Sequence, residues 1–401
     1  MRIPSGIPDR ECCIGPRTGS PIRVLHVTGA MTKGGGVAVW LMNVLGGIDT
    51  NRFRLDLLVD TNVECELDAE VRSLGCRIMY CPDGVKDPWG FRRRFNATVT
   101  AHGPYDIVHS HRDNIDGLVL TWAAELGIPV RISHSHNDLR NVERSLPLVK
   151  RHYARFKRKM LHRSMTFGLA CSTDAAACQF GAGWKDDPRI ALLRYGIDLV
   201  PFREPVDRAT VRGSFGIRED AFVIGHVGRF VDQKNHEMLI HIMRKVVDQD
   251  PSAHLLLVGR GPLQHDIFNL TQSLELTEHI HFAGLRPDIA RLMRGAMDVF
   301  VFPSKHEGLG IVMLEAQAAG IPVVASTAVP KDATVIPELV KRCSVSDPPT
   351  VWANAIMRVK GQRKVDNTAC IAEVSKEHDA ANAAALIEKV YLQCLPMVEV
   401  P

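Results

Sequence analysis

Two segments 200 residues apart open in the same way, and they constrain the fold more than any other feature. The first is Ile22-Arg23-Val24-Leu25-His26-Val27, followed by Thr28-Gly29, the triplet Gly34-Gly35-Gly36 and a helical pattern with Val39, Leu41, Met42 and Leu45. The second is Phe222-Val223-Ile224-Gly225-His226-Val227, followed by Gly228-Arg229 and a helical pattern with Met238, Leu239, Ile242, Met243, Val246 and Val247. Each reads as strand, glycine-bearing turn and helix. Such a unit starts a doubly wound parallel sheet, whose ligands sit beyond the carboxyl ends of the strands. Further short apolar runs at 55–59, 107–108 and 130–132 fit the first sheet, and those at 255–258, 280–282, 299–302 and 322–325 fit the second. Helical segments alternate with them, which predicts α/β architecture twice over.

The expected organisation is a flexible extension over 1–20, a first Rossmann-like domain over 21–200 and a second over 201–376. A final amphipathic helix, at about 377–393 within the segment 377–401, is expected to pack back across the cleft. The boundary falls in the turn-rich, proline-bounded stretch from Tyr195 to Pro205. A length of 401 residues suits about two to three domains. A net charge of +4 is too mild to demand nucleic acid. The ten cysteines form no C-x-x-C pair and no zinc spacing, so reduced thiols in a cytoplasmic protein are expected. No apolar run reaches the roughly 18 residues that span a membrane.

The chemistry concentrates at strand ends. The strand Val299-Phe300-Val301-Phe302 runs into Pro303-Ser304-Lys305-His306-Glu307-Gly308-Leu309-Gly310 and then a helix ending near Gly320. The free N–H groups of a helix start attract anions. Glu315 lies within that otherwise apolar helix, where a carboxylate costs several kcal/mol unless donors reach it. A ribose diol would supply two. Arg229 and Lys234 flank the turn of the second opening, where their charge could meet a diphosphate as it leaves. Gly34-Gly35-Gly36 could admit phosphate, although the spacing is neither the dinucleotide fingerprint nor a P-loop. His109-Ser110-His111 and His134-Ser135-His136 follow two predicted strands. They could bond a donor sugar or position an acceptor hydroxyl, and a purely structural role is expected for at least two of the four. Asp248-Gln249-Asp250 ends a helix on the wrong edge of the sheet for a metal-dependent transferase. Residues 149–163 place Val149, Tyr153, Phe156 and Met160 on one helical stripe among basic residues. Two readings compete there: a helix on an anionic membrane surface, or a domain helix with a solvated basic face.

Together these residues resemble the retaining glycosyltransferases of family 4, with the two-domain GT-B fold, and among them bacterial capsule and exopolysaccharide enzymes. The likeness runs from about residue 22 onward. It rests on Gly35-Gly36, His109-Ser110-His111, Gly228-Arg229 with Lys234, Gly259-Arg260-Gly261-Pro262, and Glu307 followed by Glu315. The resemblance implies two Rossmann-like domains with parallel sheets facing a central cleft. It implies a UDP- or GDP-sugar donor, a lipid-linked or saccharide acceptor, retention at the anomeric carbon, no cofactor and no metal. Carried over by position, Arg229 and Lys234 hold the diphosphate, with Gly35 and Gly36 closing on it. Glu315 holds the ribose, while Glu307, Gly308, Leu309 and Gly310 hold the sugar. His111 lies near the sugar, Leu285 and Arg286 edge the base, and His109, His134 and His136 stand on the acceptor side. Val329-Pro330-Lys331-Asp332 departs from the Gly-Gly-x-x-Glu element of many relatives. A sugar-nucleotide epimerase and a binding protein without turnover are the alternatives. The first would need acid and base groups around the sugar, and the intact Arg229, Lys234, Glu307 and Glu315 speak against the second.

Overall fold

A computed structural model describes residues 20–82, 87–361 and 365–395. The extension expected over 1–20, with Cys12 and Cys13, lies outside the described residues except for Ser20. The chain divides into two compact units, Met1–Gly196 with Ala380–Pro401, and Ile197–Asp379.

The first unit is built on seven strands: β1 (Ile22–Thr28), β2 (Phe53–Val59), β3 (Arg77–Tyr80), β4 (Ile107–Ser110), β5 (Val130–Ser135), β6 (Phe167–Ala170) and β7 (Ile190–Leu192). They lie in the order β3-β2-β1-β4-β5-β6-β7, all parallel. The second unit has β8 (Val223–Val227), β9 (His254–Val258), β10 (Ile280–Gly284), β11 (Val299–Phe302), β12 (Val323–Ser326) and β13 (Val340–Cys343). Their order is β10-β9-β8-β11-β12-β13, again all parallel. Each order reverses beside its first strand, between β1 and β4 in one unit and between β8 and β11 in the other. In doubly wound sheets such a switch point, outside the carboxyl ends of the strands, is where ligands bind.

Burial on both faces explains the composition of the central strands. Val223-Ile224-Gly225-His226-Val227 is buried throughout, and so is Val299-Phe300-Val301-Phe302. Leu239, Ile242, Met243 and Val246 on the helix His236–Val247 join Leu255, Leu257, Val301 and Trp352 in one core cluster. Burial contributes roughly 1.5–3 kcal/mol for each large apolar side chain. Gly225 is required by packing, because a Cβ there would fall 2.0 Å from the Met297 sulfur.

Four strands escape the apolar-run pattern. β3 is an edge strand of the first sheet with every residue half-buried, and β13, an edge strand of the second sheet, carries Lys341 and Arg342. β6 is only four residues long, and its Gly168 makes room for Phe180 and Ile190. β7 is three residues long.

The expected single helix at about 377–393 is two. One ends at His378, Asp379 is extended, and the next runs Ala383–Cys394. The break has a cause: Ile197 donates to the His378 carbonyl at 2.9 Å and bridges to Asp379, which draws that segment out of the helix. The helix Ala383–Cys394 belongs to the first unit and packs on the helix Gly36–Gly47. The eight described cysteines are free.

Candidate active site

In the second unit two loops from the switch point are stitched together. The β8 loop sends the Gln233 amide to the His306 carbonyl at 2.9 Å and the Asn235 amide to the Pro303 carbonyl at 3.2 Å. The Lys305 N–H returns to the Gln233 carbonyl at 2.8 Å. These bonds bring Lys234 Nζ to 2.6 Å from Glu307 Oε1, with the ammonium 4.9 Å from the Phe302 ring centre. Glu307 is buried and Lys234 nearly so, at 7% and 17% side-chain exposure, so each charge answers the other's desolvation. Gly228 permits this path: its missing Cβ would meet Lys234 Cγ at 3.2 Å. A second seam joins the β8 and β9 loops, where Phe230 donates to the Arg260 carbonyl at 3.1 Å and Gly261 lies flat against the Phe230 backbone. Arg229 projects from the same turn, exposed, with no carboxylate partner among the described residues.

The helix Ile311–Ala318 starts at Gly310, whose φ of 87° suits glycine, and no side chain caps it. Gly308, Leu309 and Gly310 are buried at this start. Glu315, one turn further on, is half-buried, and its carboxylate has no hydrogen-bond partner among the described residues. Burial pushes its carboxyl up to about 7. Leu285 is exposed beyond β10, whereas the Arg286 guanidinium is already engaged by Asp288 at 2.8 and 2.7 Å. Asp248 and Asp250 are held by Arg244, Lys245 and Lys360 on the amino side of β9.

In the first unit the four predicted histidines come together with a fifth, His26, which the neighbouring strand β1 adds at the end of the row. All five are buried. Tyr195 bonds His136 Nδ1. His136 Nε2 meets His111 Nδ1 at 2.8 Å, and His111 Nε2 meets His26 Nδ1 at 2.9 Å. His26 Nε2 then reaches the Tyr391 hydroxyl at 3.2 Å, which lies 2.8 Å from His109 Nδ1. A neutral imidazole has one N–H and one lone pair, so the chain has a single direction. When Tyr391 donates to His109, the other three rings all carry their proton on Nε2; in the reverse sense all three carry it on Nδ1. Burial lowers the His26 and His136 pKa values to about 3, and burial with mutual repulsion lowers His109, His111 and His134. The cluster is therefore uncharged at neutral pH. His134 stands against Trp40, ring centres 4.8 Å apart, with both nitrogens unbonded.

His111 uses both ring nitrogens on its neighbours, so contact with a sugar would require it to give up one of them. The expectation of no metal centre overlooks His26. Ring nitrogens of His26, His109 and His111, and of His111, His134 and His136, lie within 4.8 Å of one another, a spacing that an ion could use. Asp113 and Asp116 lie beside the cluster, and burial raises them to about 7 and about 6. Asp116 accepts from Ser110, Ser133 and the Arg112 N–H. Gly35 precedes the helix Gly36–Gly47, which has no side-chain cap, so its first N–H groups remain available to an anion. Sequence reading misses His26, Tyr195 and Tyr391. His26 alone carries a signal, its polarity in an apolar strand.

Two Rossmann-like units with parallel sheets, each with loops converging at a switch point, are the architecture of GT-B glycosyltransferases. The chain belongs to the group 1 glycosyltransferases. The profile described as "Glycosyl transferases group 1" matches residues 207–369. EpsF of Bacillus subtilis (strain 168), a glycosyltransferase by name, is 34% identical over 338 residues, covering 84% of this chain and 87% of EpsF. An Escherichia coli enzyme, UDP-Gal:alpha-D-GlcNAc-diphosphoundecaprenol alpha-1,3-galactosyltransferase, is 29% identical over 231 residues, 55% of this chain and 58% of its own. Among solved structures, Anabaena HepE in complex with UDP and glucose superposes with a TM-score of 0.73 at 19% identity, covering 92% of this chain and 99% of HepE. No described helix is long and apolar enough to cross a membrane.

Proposed function

We propose that this glycosyltransferase takes a sugar from a UDP- or GDP-sugar and passes it, with retention at the anomeric carbon, to a lipid-linked or saccharide acceptor in cell-surface glycan synthesis. The observation that carries the reading is Glu315, a packed carboxylate without a protein donor beside an uncapped helix start. A ribose offers it two adjacent hydroxyls. Arg229 and Lys234 then face the diphosphate, and Glu307 with the backbone of Gly308 to Gly310 faces the sugar. Leu285 borders the base, with Arg286 acting there only through the pair it forms with Asp288. The first unit contributes the helix start at Gly35-Gly36 and His111, with His109, His134 and His136 holding the acceptor side.

In this mechanism the acceptor oxygen bonds the anomeric carbon on the face that the diphosphate leaves. The electron pair of the breaking bond goes to the diphosphate oxygen, which also takes the acceptor proton. Positive charge at Arg229 and Lys234 stabilises that oxygen as it forms, so no metal and no enzymic nucleophile are invoked. The diphosphoundecaprenol acceptor named for the Escherichia coli relative and the UDP of the HepE complex support a lipid-linked acceptor and a uridine donor. Peripheral contact with an anionic membrane through 149–163 fits the exposure of Leu148, Val149, Tyr153 and Phe156. The test is a thermal-shift screen against UDP-, GDP- and ADP-sugars. Stabilisation grows with the ratio of ligand to its Kd, so the true donor gives the largest shift, and a flat response to all three rejects the reading.

A further inference from the structure

The helix Leu148–Ser164 does not pack through the stripe that its sequence suggests. It meets the helix Asp116–Glu125 through its own backbone at Lys157, so close that a Cβ on Gly117 would fall 2.2 Å from the Lys157 carbonyl. Thr121 and Ser164 share a hydrogen bond of 2.8 Å at the same seam. Val149, Tyr153 and Phe156 are left exposed at 80%, 47% and 56%.

On another face of this helix is a cavity of about 240 Å³, lined by Arg140, Arg144, Arg151, Arg155 and Arg158 with one carboxylate, Glu143. It has room for roughly eight waters at about 30 Å³ each, and so for a diphosphate of similar atom count. Glu143 is already taken, since both its oxygens accept from Arg158 at 2.9 Å. Arg140, on the same lining, is already paired with Asp138 and Asp174. Arg144 reaches only the Asn141 amide oxygen, at 3.3 Å. Arg151 and Arg155 have no ion pair or side-chain hydrogen bond among the described residues. Arg144, Arg151 and Arg155 thus share this lining without a counter-charge of their own, and like charges repel. Their planar forks suit phosphate oxygens.

We infer that this arginine cavity binds the phosphate or diphosphate headgroup of a lipid, with Val149, Tyr153 and Phe156 seated in the apolar boundary beside it. The assignment rests on the lipid-linked acceptor of the proposed function and supplies its anchoring site. Arg158 and Lys157 are poor probes, because one is tied to Glu143 and the other is packed at the helix seam. Arg151 and Arg155 are the ones to change.

The experiment is flotation of the full-length protein with three kinds of vesicle: phosphatidylcholine alone, the same with a polyprenyl diphosphate, and the same with phosphatidylglycerol. Binding to the diphosphate vesicles should exceed binding to the others, and R151E/R155E should weaken it about thirtyfold, the worth of two basic residues near an anionic surface. Removing the apolar contacts (V149S/F156S) should weaken vesicle binding but leave binding of inorganic diphosphate unchanged by calorimetry at donor-saturating UDP. Equal vesicle binding by R151E/R155E and the parent overturns the cavity. Retained diphosphate binding with no vesicle preference overturns the lipid. A UDP thermal shift measured on every variant reports the second unit separately, so loss of the proposed transferase reading would show there and not in flotation.

Discussion

At the switch point of the first unit, five imidazoles are packed together and kept neutral; at that of the second, an ammonium and a carboxylate are packed together and kept charged. The strands feeding the two sites are alike, β1 ending His26-Val27-Thr28 and β8 ending His226-Val227. His226 donates locally to the Val301 carbonyl at 2.8 Å and leaves its Nε2 without a partner among the described residues. His26 instead joins rings from β4 and a hydroxyl from the C-terminal helix. The difference shows how a buried polar site can satisfy itself. An imidazole can shed its proton and serve as donor and acceptor in a chain. Lys234 is instead bonded to Glu307 at 2.6 Å.

Acid should separate the two sites most. The five histidines of the first unit have folded pKa values depressed below the roughly 6.5 of an unfolded chain. Their contribution is complete above that pH and is lost as the pH falls, because the unfolded chain then binds protons that the folded one refuses. Asp113 and Asp116, raised to about 7 and about 6, take up protons in the folded state and pull the other way. Five groups against two leave a net loss on the order of 5 kcal/mol between pH 6.5 and 5. In the second unit His226, His236, His254 and His281 are lowered, the last two only half-buried, and Glu315 is raised against them, so a smaller loss is expected there. Hydrogen exchange followed by pH should show the first unit opening first, and simultaneous opening would break the contrast.

Lys234→Ala should cut kcat about 10²- to 10³-fold, or roughly 3–4 kcal/mol, the usual cost of losing one preorganised donor. Adding Glu307→Gln, which removes the stranded charge, should recover melting temperature but not turnover. Full activity in Lys234→Ala would remove the charged pair from catalysis. Tyr391→Phe deletes the hydroxyl between His26 and His109 and should destabilise the first unit by about 2 kcal/mol, since buried ring nitrogens lose partners. Chemical denaturation checks this, and a neutral result would mean that the ring chain contributes little.

Glu315→Gln should weaken nucleotide diphosphate binding about tenfold at pH 8, or 1.4 kcal/mol. The parent's affinity should rise as the pH climbs through about 7, where the carboxyl ionises, and the variant's should stay flat. Calorimetry at several pH values decides it. The smallest effect expected is from EDTA, which should leave turnover unchanged. Loss of activity restored by zinc would turn the histidine triads of the first unit into a metal centre.

Much of the second unit's candidate site was legible because its determinants are local. The Glu307 turn, the uncapped helix at Gly310 and the Arg229-to-Lys234 turn each lie within a few residues of a strongly apolar strand. Pattern alone therefore places them at strand ends. The first unit was less legible. His109, His111, His134 and His136 advertise themselves by spacing, but their partners come from positions 26, 195 and 391, which no local rule connects. The helix Leu148–Ser164 shows the same limit, since its apolar stripe is a true pattern and yet faces solvent. A close backbone seam at Gly117 fixes its orientation, and that glycine carries no signal of its own.

The sequence by itself determined the two α/β units and the strand ends at which charge and glycine gather, because period, turn chemistry and apolar runs act over short stretches of chain. Only the tertiary structure decided that Lys234 pairs with Glu307, that four histidines share one hydrogen-bonded chain through Tyr391 with a fifth packed beside them, and that five arginines line one cavity. Those outcomes depend on which loops a sheet order brings side by side. A charge or a ring nitrogen takes its properties from whatever neighbour burial gives it.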